Sequence, residues 1–129
     1  MDPLPDVSVI ITMYNSESFV QHAIQSVLQQ EPHGLNIEII VVDDGSTDAS
    51  CQVVEKINNP TIRLIPLSVN GGQALARNES LKQAKGQWIQ FLDSDDRLGY
   101  DLYRKFEKAI RPDFNCYLFS FIRDSNTET

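Results

Sequence analysis

The sequence is short of positive charge. Among 129 residues, 11 are Lys or Arg and 18 are Asp or Glu, for a net charge of −7. That deficit excludes a general nucleic-acid-binding surface, which needs a basic face to neutralise phosphates. An anionic ligand would depend here on local help from backbone N–H groups, an Arg or a metal ion. Glycine and proline number only six each, too few for a low-complexity or collagen-like chain. No apolar run approaches the ~20 residues that span a bilayer. The start, Met1-Asp2-Pro3-Leu4-Pro5, has neither the basic end nor the apolar stretch of a signal peptide. Cys51 and Cys116 are the only cysteines, with no C-x-x-C spacing, which excludes a disulfide framework. Both fall in apolar patterns and are expected as buried, reduced thiols. This fits a reducing compartment, and the expected location is the cytoplasm or, peripherally, the inner face of the membrane.

Hydrophobic residues make up 41% of the chain, enough for a core. The length suits one domain over 1–129, with 1–6 and 124–129 expected as loose termini. Val7-Ser8-Val9-Ile10-Ile11 reads as a strand covered on both faces. Asn15-Ser16 offers a helix cap, and Phe19, Ala23, Ile24, Val27 and Leu28 stripe a helix over about 17–30. Ile37 to Val42 is a second buried strand, followed by a helix striped by Cys51, Val54 and Ile57 and broken at Asn58-Asn59-Pro60. Ile62 to Ile65 is a third strand. Asn70-Gly71-Gly72 opens a third helix, with Gly86 as its C-terminal glycine. Trp88 to Leu92 is a fourth strand, Leu102, Phe106, Ala109 and Ile110 stripe a fourth helix closed by Pro112, and Cys116 to Ile122 is a fifth strand. Strict β-α alternation with short loops predicts an α/β fold: a mainly parallel, Rossmann-like sheet with helices on both faces.

In such a sheet, ligands bind outside the carboxyl ends of the strands. Thr12, Tyr14, Asn15 and Glu17 follow the first strand, Asp43 and Asp44 the second, Asn70 the third with Arg77 further along its helix, and Asp93-Ser94-Asp95-Asp96 the fourth. Three carboxylates in four residues repel one another, by about 4 kcal/mol for a pair about 4 Å apart at an effective dielectric near 20. A divalent cation removes that cost. All-oxygen ligation suits Mg²⁺ or Mn²⁺, which commonly completes its shell with substrate phosphates. The plainer alternative is a solvated turn that caps the next helix, with Asp96 as the cap. At Asp43-Asp44-Gly45-Ser46, Asp44 or Ser46 is expected to serve the turn and Asp43 the ligand. A dinucleotide site is disfavoured, because Met13-Tyr14-Asn15-Ser16 contains no glycine. Arg77 is placed to orient Asp93 or reach a nucleotide, or it is a surface charge. Tyr14 can stack on a base or cover the core. His22 and His33 lack metal-ligand spacing.

Val7 to Asn15, Ser26-Val27-Leu28-Gln29-Gln30, Glu38 to Asp48, Asn70-Gly71-Gly72 with Ala76-Arg77-Asn78, and Phe91 to Asp96 together resemble family 2 glycosyltransferases of the GT-A fold. The likeness spans about residues 7–122, with five motifs in order at the strand ends. It implies binding of a nucleotide-diphosphate sugar, UDP-sugar by default, and transfer to the hydroxyl of an acceptor glycan or lipid-linked sugar, usually with inversion. By position it implies that Thr12, Tyr14 and Glu17 line the nucleoside pocket and that Asp43 accepts from the base. Asn70 and Arg77 would close the pocket. Asp93 and Ser94 would face the ribose or first phosphate, and Asp95, with Asp93, would hold the metal. The family often has Pro where this chain has Thr12. Its members usually also carry a further stretch with the acceptor site and an Asp or Glu general base. The sequence ends at Thr129 before such a stretch, so the catalytic base is expected to lie outside it. The chain would then bind donor but transfer poorly by itself, and a face left open by the missing portion would invite self-association.

Three other readings compete. A phosphoacceptor receiver domain needs acids after the first strand, an Asp after the third and a Lys after the fifth, and those loops offer Tyr14-Asn15, Ser68-Val69-Asn70 and Arg123. A sugar-1-phosphate nucleotidyltransferase needs a glycine-rich basic loop after the first strand. A non-catalytic nucleotide-binding remnant differs from a donor domain only in what else the protein carries.

Overall fold

A computed structural model describes residues 4–67, 70–110 and 122–123. β1 (Val7–Met13), β2 (Ile37–Asp43), β3 (Ile62–Pro66) and β4 (Trp88–Asp93) form one parallel sheet in the order β3-β2-β1-β4. The β-branched runs explain the buried centre. Val9, Ile10, Ile11, Ile39, Ile40, Val41 and Val42 are almost wholly shielded from solvent, as strands covered on both faces require. Alternate residues serve opposite faces. Val7, Val9, Ile11 and Met13 pack with α1 (Val20–Leu28), α2 (Ser50–Ile57) and α4 (Leu102–Ala109). Ile40 and Val42 pack against Ala76 of α3 (Gln73–Leu81) on the other. The α/β class and the helices on both faces match the expectation.

Register brings the strand ends together. β1 is the central strand, with Met13 beside Asp43 of β2 and Thr12 beside Asp93 of β4. The carboxyl ends of three strands therefore share one rim.

Several local expectations need correction. α1 begins at Val20 rather than near residue 17, because Phe19 and Val20 both donate to the Ser16 carbonyl at 3.0 and 2.9 Å and form a separate turn. Asn15 and Ser16 are not its caps: the cap position is Phe19, which makes no side-chain capping bond. The helix also ends at Leu28. Beyond it, the Gln30 amide donates to the Gly99 carbonyl at 2.6 Å and its oxygen accepts from Tyr103 N–H at 2.9 Å. α3 ends at Leu81, and Gly86 is not its C-terminal glycine. Gly86 is small for another reason: a Cβ there would lie 2.5 Å from the Ser8 backbone nitrogen, while its own N–H donates to Ser8 Oγ at 2.7 Å. Asp96 does not cap a helix but opens β5 (Asp96–Arg97).

The fifth strand expected over 116–122 lies outside the described residues except at its end. There β6 (Ile122–Arg123) pairs antiparallel with β5 in a separate two-stranded sheet. Pro112, Cys116 and the tail 124–129 are outside the described residues. The N-terminal segment is not loose throughout. Asp6 N–H donates to the Asn36 carbonyl at 2.7 Å, and Trp88 N–H donates to the Asp6 carbonyl at 2.9 Å.

Gly86→Ala is expected to lower stability by about 1–3 kcal/mol, because the methyl meets backbone rather than a movable side chain. Urea unfolding checks this, and an unchanged midpoint would show that the β1–β4 contact yields easily.

Candidate donor-binding and metal site

The loops after β1 and β2 are stitched to each other before they meet any ligand. Asn15 adopts a left-handed backbone (φ 51°), which asparagine tolerates better than most residues. That turn lets its N–H donate to Ser46 Oγ and its side-chain oxygen accept from Thr47 N–H, both at 2.8 Å. Ser16 N–H donates to Ser50 Oγ at 2.8 Å, and Glu17 Oε1 accepts from Ala49 N–H at 2.9 Å. Glu17 thus satisfies an otherwise open N–H at the start of α2. The nucleoside-lining place expected for it is not where its carboxylate sits.

Asp43 and Asp44 divide the work differently from the expected pairing. Asp43 is 4% exposed and accepts from Ser46 N–H (3.2 Å), from Ser46 Oγ, and from the Cys51 thiol at 3.2 Å. It is the residue that holds the turn. Cys51 is half-buried, and burial, then the Asp43 hydrogen bond and charge, pushes its thiol up to about 11. Asp44, 6% exposed, clamps the far side of the rim. Its two carboxylate oxygens accept from Gly71 N–H at 2.9 Å and Gly72 N–H at 3.0 Å, at the entry to α3. Gly72 has φ +93°, a conformation that suits glycine and turns both N–H groups inward.

Between the clamped loops lies a cavity of about 200 Å³ lined by Thr12, Met13, Tyr14, Asp44, Asn70, Gln73 and Ala76. Thr12, Tyr14 and Asn70, expected at a nucleoside pocket, all line this cavity, and Tyr14 is 46% exposed. Asp44 and Gln73 were not expected in the lining. Gln73 was discoverable in principle, as the first residue of a helix aimed at the strand ends. Its Nε2 makes long contacts of 3.4 Å with Thr12 Oγ1 and Asp93 Oδ1, so it joins the cavity to the acidic turn.

The acidic turn closes the rim. Asp93, Asp95 and Asp96 each offer a carboxylate oxygen, and these lie within 4.8 Å of one another. All-oxygen donors at that spacing fit a hard divalent cation. Arg77 stands behind them, its Nη2 3.9 Å from Asp93 Oδ1 and its guanidinium 5.1 Å from the Phe91 ring centroid. Ser94 turns from the cavity to Ser16, with the two hydroxyl oxygens 2.7 Å apart.

Two outcomes test this geometry. Asp44→Ala should cost about 1–3 kcal/mol of stability, as two N–H groups lose their acceptor, and should speed amide hydrogen exchange at Gly71 and Gly72. Unchanged protection there would show that the clamp carries no weight. Alkylation of Cys51, followed by peptide-resolved mass spectrometry, should be slow at pH 8, where about one thiol in a thousand is ionised, and should rise steadily towards pH 11. Asp43→Asn should lower that pKa and speed the reaction at pH 8. An unaltered rate would show that the carboxylate does not govern the thiol.

Comparison with known proteins assigns the family. The profile described as "Glycosyl transferase family 2" matches residues 8–129. Succinoglycan biosynthesis protein ExoO of Rhizobium meliloti is 44% identical over 110 residues, covering 84% of this chain and 31% of that protein. The putative teichuronic acid biosynthesis glycosyltransferase TuaG of Bacillus subtilis is 41% identical over 110 residues, covering 82% and 41%. Among solved structures, Staphylococcus aureus TarS 1-349 in complex with UDP-GlcNAc aligns with a TM-score of 0.72 at 37% identity, over 78% of this chain and 29% of that one. Mannosyltransferase PcManGT from Pyrobaculum calidifontis, in complex with GDP-Man and Mn²⁺, shares the fold with a TM-score of 0.74 at 24% identity, over 85% and 34%. The chain spans 31% of ExoO and 41% of TuaG. By the match over nearly its whole length, on a GT-A sheet, the chain belongs to glycosyl transferase family 2.

Proposed function

We propose that the chain binds the donor of a glycosyltransferase: a nucleotide-diphosphate sugar, with a divalent cation, whose sugar passes to an acceptor hydroxyl with inversion. The observation that carries this reading is the joining of a 200 Å³ cavity to a three-carboxylate turn through Gln73 on a single sheet rim. A nucleoside needs a concave, partly apolar seat, and a diphosphate needs concentrated positive charge beside it. The TarS structure that aligns over 78% of this chain is a complex with UDP-GlcNAc, and this supports UDP as the first nucleotide to test.

The residues divide the task. Tyr14 offers a ring face to the base, and Thr12 and Asn70 offer hydrogen-bonding groups beside it. Asp43, behind the β2 turn, is the proposed acceptor for the base. Its bonds to Ser46 fix its place, and the base would have to be reached from that shielded position. Asp93 faces the sugar-phosphate side, Arg77 keeps it turned to the rim, and Ser94 is turned away to Ser16. Asp95 and Asp93 would hold Mg²⁺ or Mn²⁺, with Asp96 close enough to share it. When bound, such an ion neutralises charge that develops on the diphosphate leaving group. Glu17 contributes by capping α2 and fixing the loop after β1.

The acceptor in this reading is a glycan or lipid-linked sugar. ExoO and TuaG are named for polysaccharide biosynthesis, and that is the class of pathway proposed here. The acceptor-side base is assigned to no residue of this sequence, and the cytoplasm or the inner membrane face is the proposed location. Among the described residues, no helix is long and apolar enough to cross a membrane. Ile89 and Phe91, each 39% exposed on β4, form the apolar face proposed to associate with a second copy.

Calorimetric titration with UDP, GDP, CDP and dTDP, with and without Mn²⁺, tests the donor reading. One nucleotide should bind in a metal-dependent way, and Asp95→Ala should weaken it by at least about tenfold, a loss seen even for outer-shell partners of metal ligands. Binding that ignores the metal, or that survives Asp95→Ala, would overturn the metal assignment.

A further inference from the structure

Ser16 lies in the loop after β1, takes no part in the cavity lining, and caps no helix with its side chain. It is nonetheless 8% exposed and bonded on three sides. Its carbonyl accepts from Phe19 and Val20 N–H at 3.0 and 2.9 Å, which fixes it to the entry of α1. Its N–H donates to the buried Ser50 Oγ at 2.8 Å, and Ser50 Oγ in turn donates to Asp48 Oδ1, which fixes it to the start of α2. The hydroxyl makes a long bond to the Tyr14 carbonyl at 3.4 Å and a short one that leaves this anchored unit: Ser16 Oγ lies 2.7 Å from Ser94 Oγ, in the middle of the acidic turn.

The flanks of that turn are held at Asp93, by Gln73 Nε2 at 3.4 Å and Arg77 Nη2 at 3.9 Å, and at Asp96, which pairs with Arg123, but these ties do not act on its centre. Residues 94–95 are its centre, and Asp95 is exposed. The carboxylates on either side repel each other and favour a splayed turn. A short hydroxyl–hydroxyl bond to a rigid neighbour opposes splaying at the one turn residue without charge. We propose that Ser16 is a positioning residue for the metal-binding turn. Through Ser94 it holds Asp93 and Asp95 at ligating separation before the cation arrives, so that affinity for the ion does not also have to close the turn. The inference rests on the donor reading above, and it adds a residue that neither touches ligand nor lines the cavity.

A double-mutant cycle on the 129-residue chain tests it. Ser16→Ala, Ser94→Ala and the double variant are titrated with Mn²⁺, following loss of the free-ion paramagnetic resonance signal. They are then titrated calorimetrically with the best of the four nucleotides, in Mn²⁺ and in chelator. Each single variant should weaken Mn²⁺ binding about three- to tenfold, the range for one lost hydrogen bond. The double variant should be no weaker than the weaker single one, and any binding measured in chelator should stay as in the wild type. Ser94 is half-buried at a turn, so its variant keeps the test open if Ser16→Ala folds poorly. Wild-type protein that binds neither Mn²⁺ nor nucleotide would overturn the donor reading and this role with it. Wild-type binding that the Ser94→Ala chain retains in full, or single losses that simply add, would overturn the role of the pair alone.

Discussion

The parallel register of β1 between β2 and β4 is the constraint on which the site depends. It sets Met13 beside Asp43 and Thr12 beside Asp93, so that three loops leave the sheet at one level. A slip of one residue would turn every side chain of β1 to the other face. Val9 and Ile11 would then leave the core shared with α1, and Thr12 would leave the rim. The hydrophobic alternation that stabilises the sheet is therefore also what aligns its polar ends.

On that rim the acidic residues do unlike jobs despite like chemistry. Asp43 fixes the β2 turn and the Cys51 thiol, Asp44 clamps Gly71 and Gly72, and Glu17 caps α2. Each is satisfied by donors of the protein itself. Asp93, Asp95 and Asp96 are instead gathered within 4.8 Å, where a shared cation relieves their repulsion. The net charge of −7 is thus partly taken up in internal ties, while the carboxylates that a cation could share are gathered in one turn.

Much of this was legible in the residues. β-branched runs such as Ile39 to Val42 mark buried strands because few other structures tolerate them, and α/β alternation then fixes the side of the sheet where chemistry gathers. The motifs at those ends carried the family likeness. What stayed hidden depends on partners far away in sequence. Asp44 meets Gly71 across 27 positions and Glu17 meets Ala49 across 32, and no local pattern announces either. Gly86 looked like a helix end because a glycine after a helix usually is one. Its true reason is the Ser8 backbone, which only packing reveals. Asp96 looked like a cap, yet its backbone pairs with Arg123 in a two-residue ladder too short to show a period.

Whether the cavity and the acidic turn act as one site is most directly read by paramagnetic broadening of amide resonances in the presence of Mn²⁺ and the tightest-binding nucleotide. The account predicts that broadening concentrates at residues 93–97 and reaches 12–16, 44 and 70–73, with α2 and the far ends of the strands left sharp. Broadening centred elsewhere on the molecule, or confined to 93–97 while the nucleotide perturbs a different surface, would contradict it.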